Sequence, residues 1–276
     1  MIKFADLHTH TAVSDGTFTA ENLIIEAKNR QLSAIAISDH DSVEAVSSAI
    51  EIGKKEGVEV ISAIELTSDY EGTEIHILGY LVDHTDQIFL QSLEELRKDR
   101  IERVYSICAK LKGLGLNLNA EDVFAVATGK IISRLHIAIA MVKKGLVGFT
   151  QEAFRHYIGE GCPGYVPRLR LNPQGAIELI RKAKGIAVLA HPYILARQEL
   201  IEKFVDYGLL GIEAYYPEHS ASMTNNYLKL AKKLKLLVTG GSDFHGQSKP
   251  SVRLGAVKVP YALVEKIKIT QEELFA

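Results

Sequence analysis

The residues with the clearest capacity for chemistry lie near the start of the chain, in the segment DLHTHTAVSD at 6–15. His8 and His10 are two positions apart, so both imidazoles point to one face of an extended chain. Asp15 follows in a Ser-Asp-Gly turn that can bring its carboxylate back over the same point. Imidazole and carboxylate together suit Zn, Mn or Fe. The segment therefore predicts metal ligands after a first buried strand at 1–5, with a chance pair of histidines as the alternative.

Ligand-type side chains recur at or near the ends of other predicted strands. Apolar runs predict these strands at 34–38, 58–66, 74–82, 186–190, 211–215 and 236–239. Because the carboxyl ends of the strands of a β/α barrel meet on one face, such side chains would converge there. The further candidates are Asp39, His40, Glu65, His76, His191, Asp243 and His245.

The alternation of strands and helices is interrupted once. From 87 to 165 the sequence has helical periodicity without a clear strand, beginning with a long, highly charged amphipathic segment. We therefore predict an α/β fold, a distorted (β/α)7 barrel formed by residues 1–86 and 166–276. A small helical domain, residues 87–165, would be inserted beside the mouth of the barrel and contribute to substrate binding.

Composition restricts the class of protein. The 276 residues are 47% hydrophobic and 24% charged, which is typical of a soluble globular protein. The formal net charge of −2 supplies no basic field for duplex DNA. Cys108 and Cys162 provide neither a disulfide framework nor a cysteine zinc site, which favours a reducing cytoplasm. We expect no signal peptide and no membrane span.

The motifs, taken in order, resemble those of the PHP family, the polymerase and histidinol phosphatase phosphoesterases. The segments that carry the resemblance are DLHTHTAVSDG at 6–16, SDHDSV at 38–43, EIHILGY at 74–80, AHP at 190–192 and GGSDFHG at 240–246. The resemblance runs from end to end of the sequence. It implies a distorted seven-stranded β/α barrel with a trinuclear metal site at its mouth.

The resemblance also implies how the ligands divide among three divalent metal ions, for which Mn, Zn and Fe are all compatible. The implied groups are His8, His10, Glu65 and Asp243 for the first ion, Asp15, His40 and His245 for the second, and His76 and His191 for the third, with Glu65 bridging the first and third. Asp39 would lie behind the ligands and orient a ligating imidazole.

Residues 132–145 and 157–168 resemble segments of PHP members that hydrolyse nucleoside 3′,5′-bisphosphates and trim short RNA from its 5′ end. The resemblance implies that Arg134 and His136 bind a substrate phosphate. Two positions apart, they would both reach it only near a helix start, where free amides also point outward. A solvated surface charge is the alternative for Arg134.

Two further residues have less defined roles in the sequence. Arg168 would contact the substrate phosphate or only a neighbouring carboxylate. His219, in YYPEHS, resembles a family position near the site and would bind substrate or donate a proton, with a surface position as the alternative.

The implied reaction is hydrolysis of a phosphomonoester by a metal-bound hydroxide, without a covalent enzyme intermediate. The expected substrate is a small nucleotide, a nucleoside 3′,5′-bisphosphate that loses its 3′ phosphate, or short RNA. We expect neither duplex DNA nor a membrane as a partner. Histidinol-phosphate phosphatase is the second enzymatic interpretation, and the Arg134 segment argues against it. A non-catalytic, metal-stabilised scaffold is the third.

Overall fold

A computed structural model describes residues 3–127, 129–167, 171–195, 197 and 199–276. Its strands are β1 (Phe4–Thr9), β2 (Ala34–Ile37), β3 (Glu59–Tyr70), β4 (Thr73–Tyr80), β5 (Ile186–Leu189), β6 (Gly211–Tyr215), β7 (Leu237–Gly240) and β8 (Val259–Pro260). They form one sheet in the order β7-β6-β5-β4-β3-β2-β1-β8. The strands β1, β2 and β3 run parallel, as do β5, β6 and β7, while β4 is antiparallel to both of its neighbours.

The sheet curls into a nearly closed barrel. The segment after β7 completes it against β1, because Thr9 pairs with Phe244 and the Asp243 N–H donates to the His8 carbonyl at 2.8 Å. The predicted α/β barrel is confirmed, with the two-residue strand β8 beside the other seven. The predicted end of the first strand at residue 5 was wrong. Because β1 continues to Thr9, His8 lies within the strand and His10 directly follows it.

Helices surround the barrel and form a layer at its mouth. They are α1 (Ala20–Asn29), α2 (Val46–Glu56), α3 (Gln87–Gly113), α4 (Ala120–Phe124), α5 (Arg134–Lys143), α6 (Thr150–Ala153), α7 (Pro173–Lys182), α8 (Leu200–Asp206), α9 (Ala221–Leu234) and α10 (Ala262–Phe275). A π-helical turn, Phe154–Ile158, extends α6. Within the described parts of the chain, no helix is both long enough and apolar enough to cross a bilayer.

The helical layer has an apolar core separate from those of the barrel. Helices α3 to α6 bury residues such as Ile107, Val123 and Met141 against one another. The N-terminal half of α3 instead packs side chains such as Phe89 and Leu93 on the barrel side. The helix α3 therefore contributes to both cores and fixes the layer over the mouth of the barrel. The domain boundaries at 86/87 and 165/166 stay a prediction.

Candidate metal centre

Glu65, in the middle of β3, is the carboxylate around which the predicted ligands collect. Its Oε2 lies 3.4 Å from His8 Nε2, 3.3 Å from His10 Nε2 and 3.1 Å from His40 Nδ1. The strand pairing explains this meeting, because His40 forms a parallel bridge with Glu65 just beyond the end of β2. The three imidazoles thus come from the ends of β1 and β2 to one oxygen of β3.

The other carboxylate oxygen of Glu65 faces a second pair of histidines. Glu65 Oε1 lies 2.8 Å from His76 Nδ1 and 3.0 Å from His191 Nε2. His76 belongs to β4, whose antiparallel pairing sets it opposite Thr67 of β3. Glu65 is 1% exposed and stands between two imidazole groups. A carboxylate in this position can bridge two cations.

Asp243 enters from the segment that closes the barrel. Its Oδ1 lies 3.4 Å from His8 Nε2 and 3.2 Å from His10 Nε2. The close approach depends on Gly241, where a Cβ would lie 2.3 Å from the His8 backbone nitrogen. Asp243 itself has a φ of 53°, a left-handed conformation that costs energy for a residue with a side chain. The strained backbone directs the carboxylate to the end of β1.

Asp15 and His245 form the opposite edge of the cluster. Asp15 Oδ1 lies 3.1 Å from His245 Nε2, and Asp15 Oδ2 lies 3.8 Å from His40 Nε2. The His245 Nδ1–H donates to the Asp243 backbone carbonyl at 2.9 Å, which leaves Nε2 directed at Asp15. The structure therefore brings all nine predicted ligands into one cluster. Glu65 joins its two groups of histidines, His8 and His10 connect them to Asp243, and His40 connects them to Asp15 and thus to His245.

The donor set fits divalent cations. Among the described residues, several buried ligand atoms lack a hydrogen-bond partner: His8 Nε2, His10 Nδ1 and Nε2, Asp15 Oδ1 and His40 Nδ1. Leaving such atoms unsatisfied is costly, and metal coordination removes that cost. Three overlapping groups have donor atoms within 4.8 Å of one another: His10, Asp15, His40 and His245; His8, His10 and Asp243; and His40, Glu65 and His76.

The electrostatics of the centre favour positive charge. Burial lowers the pKa of His10, but the carboxylates of Asp243 and Glu65 outweigh it and raise that pKa to about 10. Burial likewise opposes ionisation of Glu65, yet the surrounding histidines hold the pKa of its carboxyl well below the usual range. Burial lowers the pKa of His40 to about 3 despite the carboxylates beside it. Protons and cations therefore compete for the same imidazoles.

Glu213, a residue that the sequence analysis did not place in the site, orients two of the ligands. Glu213 is fully buried in β6, and its Oε1 accepts a hydrogen bond from His8 Nδ1–H at 2.9 Å. Its Oε2 accepts from the backbone N–H of His191 at 2.8 Å. The first contact directs His8 Nε2 at the centre, as an outer carboxylate does for a ligating histidine. The position of Glu213 on a predicted strand was the feature of the sequence that could have indicated this role.

Asp39, which was predicted to lie behind the ligands, is buried and contacts the loop that follows His10. Its carboxylate accepts hydrogen bonds from the Thr11 N–H at 2.7 Å and from the hydroxyls of Thr11 and Ser14, both at 2.6 Å. These contacts hold the loop between His10 and Asp15 rather than an imidazole ring. Burial raises the pKa of the Asp39 carboxyl, and the charge of His10 opposes that rise. The role of Asp39 in orienting a ligating imidazole therefore stays a prediction, while its hydrogen bonds hold the loop that follows His10.

Glu74 joins the metal centre to the helical layer. Its Oε1 lies 3.2 Å from His76 Nε2 and accepts from Arg134 Nη2 at 2.8 Å. Its Oε2 accepts from Arg103 Nη1 at 3.1 Å. Burial opposes ionisation, but Arg134 and the other cations hold the pKa of Glu74 well below its usual range. Glu74 precedes His76 by two positions on β4, so its side chain lies on the same face of the sheet.

A cavity of about 340 Å³, here called the metal cavity, opens beside the ligands. Part of its lining, here called the metal wall, consists of predicted ligands: Asp15, His40, Glu65, His76, His191, Asp243 and His245. Another part, here called the cationic wall, comes from α3 and α5 and consists of Arg100, Arg103 and Arg134. Of these three arginines, only Arg134 was predicted from the sequence.

The arginines of the cationic wall are held in different ways. Arg100 donates to Asp41 Oδ2 at 2.7 Å, to the Ile132 carbonyl at 3.1 Å and to Thr67 Oγ1 at 2.9 Å, which ties α3 to the barrel. Arg134 donates to Glu74 and, at 3.4 Å, to the Ile158 carbonyl. A guanidinium has five N–H donors, so these two contacts leave Arg134 able to bind an anion.

Two further predicted substrate residues, His136 and His219, are not among the described residues that line the metal cavity. His136 is 3% exposed, and its Nδ1 accepts a hydrogen bond from the Ser133 N–H at 3.0 Å at the start of α5. The His219 Nδ1–H donates to the Ala214 carbonyl at 2.9 Å, and its ring packs on Tyr216. Arg168 lies outside the described residues. The substrate roles of these three residues stay predictions.

The chain is similar to known proteins in both sequence and structure. The PHP domain family matches residues 6–97. The 5′-3′ exoribonuclease Rnm of Escherichia coli is 31% identical over 91% of this chain and 87% of its own length. The 3′,5′-nucleoside bisphosphate phosphatase of Chromobacterium violaceum is 30% identical over 87% of this chain and 86% of its own.

A solved structure from Bifidobacterium adolescentis, provisionally described as a metal-dependent phosphoesterase, superposes with a TM-score of 0.86. It is 28% identical and covers 96% of this chain and 95% of its own. Fold, ligand cluster and relatives together define a phosphoric ester hydrolase of the metal-dependent class. The chain belongs to the PHP family, as the motifs indicated.

Proposed function

We propose that this protein hydrolyses the 3′ phosphate of nucleoside 3′,5′-bisphosphates and leaves the nucleoside 5′-monophosphate. The observation that carries the proposal is that Arg134, from the helical layer, lines the same cavity as the metal ligands of the barrel. A substrate with one phosphate at the metal wall can thus present a second anion to a guanidinium. Charge-assisted contacts of Arg with phosphate are strong and directional.

The chain's own residues have distinct tasks in this proposal. The metal ions, three in number and Mn, Zn or Fe in identity, would be held by His8, His10, Asp15, His40, Glu65, His76, His191, Asp243 and His245. When bound, such ions polarise phosphoryl oxygens and activate water. Glu213 and Glu74 orient the imidazoles, and Arg134 binds the second phosphate. The buried setting of the ligands keeps these charges effective.

The same arrangement supports short RNA as a further substrate. Its 5′-terminal nucleotide also carries a phosphate on each side of the sugar, so the metal wall and Arg134 would bind it as they bind a bisphosphate. The name of the E. coli relative, a 5′-3′ exoribonuclease, supports this extension. Digestion of 5′-phosphorylated RNA of a few nucleotides, followed by chromatography, tests it.

The primary experiment compares two substrates with Mn-loaded protein, adenosine 3′,5′-bisphosphate and histidinol phosphate. We expect faster phosphate release from the bisphosphate, with adenosine 5′-monophosphate as the product. Formation of adenosine 3′-monophosphate, or a preference for histidinol phosphate, would overturn the substrate assignment and leave the metal centre intact. Release from neither substrate, with metal bound, would favour the scaffold interpretation.

A further inference from the structure

A second cavity of about 380 Å³, here called the aromatic cavity, adjoins the metal cavity. Residues that line both cavities are Glu74, His76, Arg134, Phe154 and His191. Its volume lies within the range of small-ligand pockets. Because His76 and His191 face Glu65 Oε1, the aromatic cavity begins at one side of the metal centre.

The far side of the aromatic cavity is formed by Tyr193, Ile194 and Tyr216. Tyr193 is 39% exposed, whereas Tyr216 is 6% exposed. Their ring centroids are 5.7 Å apart with an interplanar angle of 31°, so Tyr216 supports Tyr193 from the protein side. An exposed aromatic ring, backed by a second ring and lining a cavity, is a ready surface for stacking.

The backbone fixes Tyr193 relative to the metal centre. Tyr193 lies in a short 3-10 turn, Pro192–Ile194, that begins directly after His191. The His191 N–H is itself held by Glu213, and Pro192 is buried. Because His191 and Tyr193 are two residues apart on a turn restricted by Pro192, the imidazole and the aromatic ring keep a constant separation.

The side of the aromatic cavity nearest the helical layer is also aromatic. The Arg134 guanidinium carbon lies 5.8 Å from the Phe154 ring centroid and 5.3 Å from that of Tyr165. Arg134 therefore reaches both cavities with its guanidinium held beside aromatic rings. A ligand that combined a planar ring with an anion would find partners for both parts here.

We propose that the aromatic cavity binds the nucleobase of the substrate, which stacks on Tyr193; this inference rests on the proposed function. A phosphate at the metal wall must direct its organic substituent away from the ligands, and the adjoining cavity accommodates it. Stacking on an aromatic ring accepts any base, because every base has a π-face. The aromatic cavity thus selects nucleotides over phosphate esters without a ring.

The first test compares Tyr193→Ala with Tyr193→Phe on two substrates, adenosine 3′,5′-bisphosphate and ribose 3,5-bisphosphate, which lacks the base. We expect Tyr193→Ala to raise KM for the adenosine substrate about tenfold, because one base would lose its stacking partner. The KM for ribose bisphosphate should stay unchanged. Tyr193→Phe should retain the wild-type KM. Tyr105→Ala, at another exposed tyrosine on α3, is the matched control. Equal effects on both substrates would overturn the proposal.

The second test does not need turnover. The chain contains no tryptophan, so Tyr193→Trp introduces a single tryptophan, which can be excited selectively in the presence of the tyrosines. We expect adenosine 5′-monophosphate to quench its emission and ribose 5-phosphate to leave it unchanged. Absence of quenching at saturating nucleotide would overturn the proposal. If instead the wild-type protein fails to hydrolyse adenosine 3′,5′-bisphosphate while quenching is observed, the proposed reaction fails and the base-binding cavity stands.

Discussion

The metal wall and the cationic wall line the same cavity, but they are built by different means. The ligands of the metal wall stand on or just beyond strands, where hydrogen-bonded backbone sets their positions. Arg100 and Arg134 reach the cavity from helices, and the partners Asp41 and Glu74 on the barrel hold their side chains. The difference places the predicted metal ligands on the barrel and the arginines of the cavity on the helical layer. In the proposed function the barrel would therefore carry the chemistry, and the helical layer would select the substrate.

The largest effect is expected in the metal wall, from Asp243→Asn. The substitution removes the negative charge that faces His8 and His10, and it should lower bound metal and reduce kcat/KM more than about 100-fold, beyond the loss typical of residues that only orient ligands. Metal analysis and phosphate release measure the two losses. Asp206→Asn, at an exposed position on α8, is the control. Full activity in Asp243→Asn would refute the ligand assignment.

Glu74→Gln tests the connection between the two walls. The amide keeps the shape but loses the charge that holds Arg134 and orients His76, so we expect about a tenfold loss in Mn²⁺ affinity together with a higher KM for the bisphosphate. Titration calorimetry measures the first change and steady-state kinetics the second. Glu71→Gln, in the same β3–β4 hairpin and exposed, should change neither. A higher KM with unchanged Mn²⁺ affinity would mean that Glu74 acts through Arg134 and not through His76.

Arg134→Ala tests the cationic wall alone. Loss of one charge-assisted contact, about 1.5–3 kcal/mol, should raise KM for adenosine 3′,5′-bisphosphate about tenfold or more. Hydrolysis of p-nitrophenyl phosphate, which has no second phosphate, should change little. Arg155→Ala removes an exposed arginine from the adjacent π-helical turn and serves as the matched control. An equal loss on both substrates would mean that Arg134 acts on the metal wall.

The smallest effect concerns the core of the helical layer. Burial raises the pKa of the Cys108 thiol to about 11, with Asp122 and Glu121 adding to the shift. The reactive thiolate is therefore scarce at pH 8 and increases about tenfold per pH unit until the pH approaches that value. We expect iodoacetamide to label Cys162 in the native protein and both cysteines after denaturation. Mass spectrometry counts the adducts, and native labelling of Cys108 would show that this core opens readily.

The comparison of the two walls also explains how far the sequence could be interpreted. The barrel and the residues of the metal wall could be predicted from the sequence, because strands have a simple period and their ends converge in this architecture. Glu213 and Glu74 had the same strand positions, yet nothing in the sequence distinguishes an orienting carboxylate from an ordinary buried acid. The sequence offered Asp39 as a carboxylate behind the ligands, but its hydrogen-bond partners depend on how the loop folds.

The cationic wall could not be predicted from the sequence, for a different reason. Helical periodicity identifies the apolar face of α3 but not the point at which that face meets the barrel. The roles of Arg100 and Arg103 follow from this docking, which tertiary packing alone decides. Arg134 was recognised only by resemblance, and His136, two residues further on, turns out to be buried at the start of the same helix.

The closure of the barrel by the segment that carries Asp243 and His245 has a consequence for the order in which the site is assembled. During synthesis the chain presents the ligands up to His76 early, and the last ones follow only after the helical layer and most of the remaining strands. Contacts between such distant parts of a sequence form late in folding. The cluster of predicted ligands can therefore form only after the segment with Asp243 and His245 has been synthesised, and cations that bind the earlier residues alone would meet an open, incomplete site.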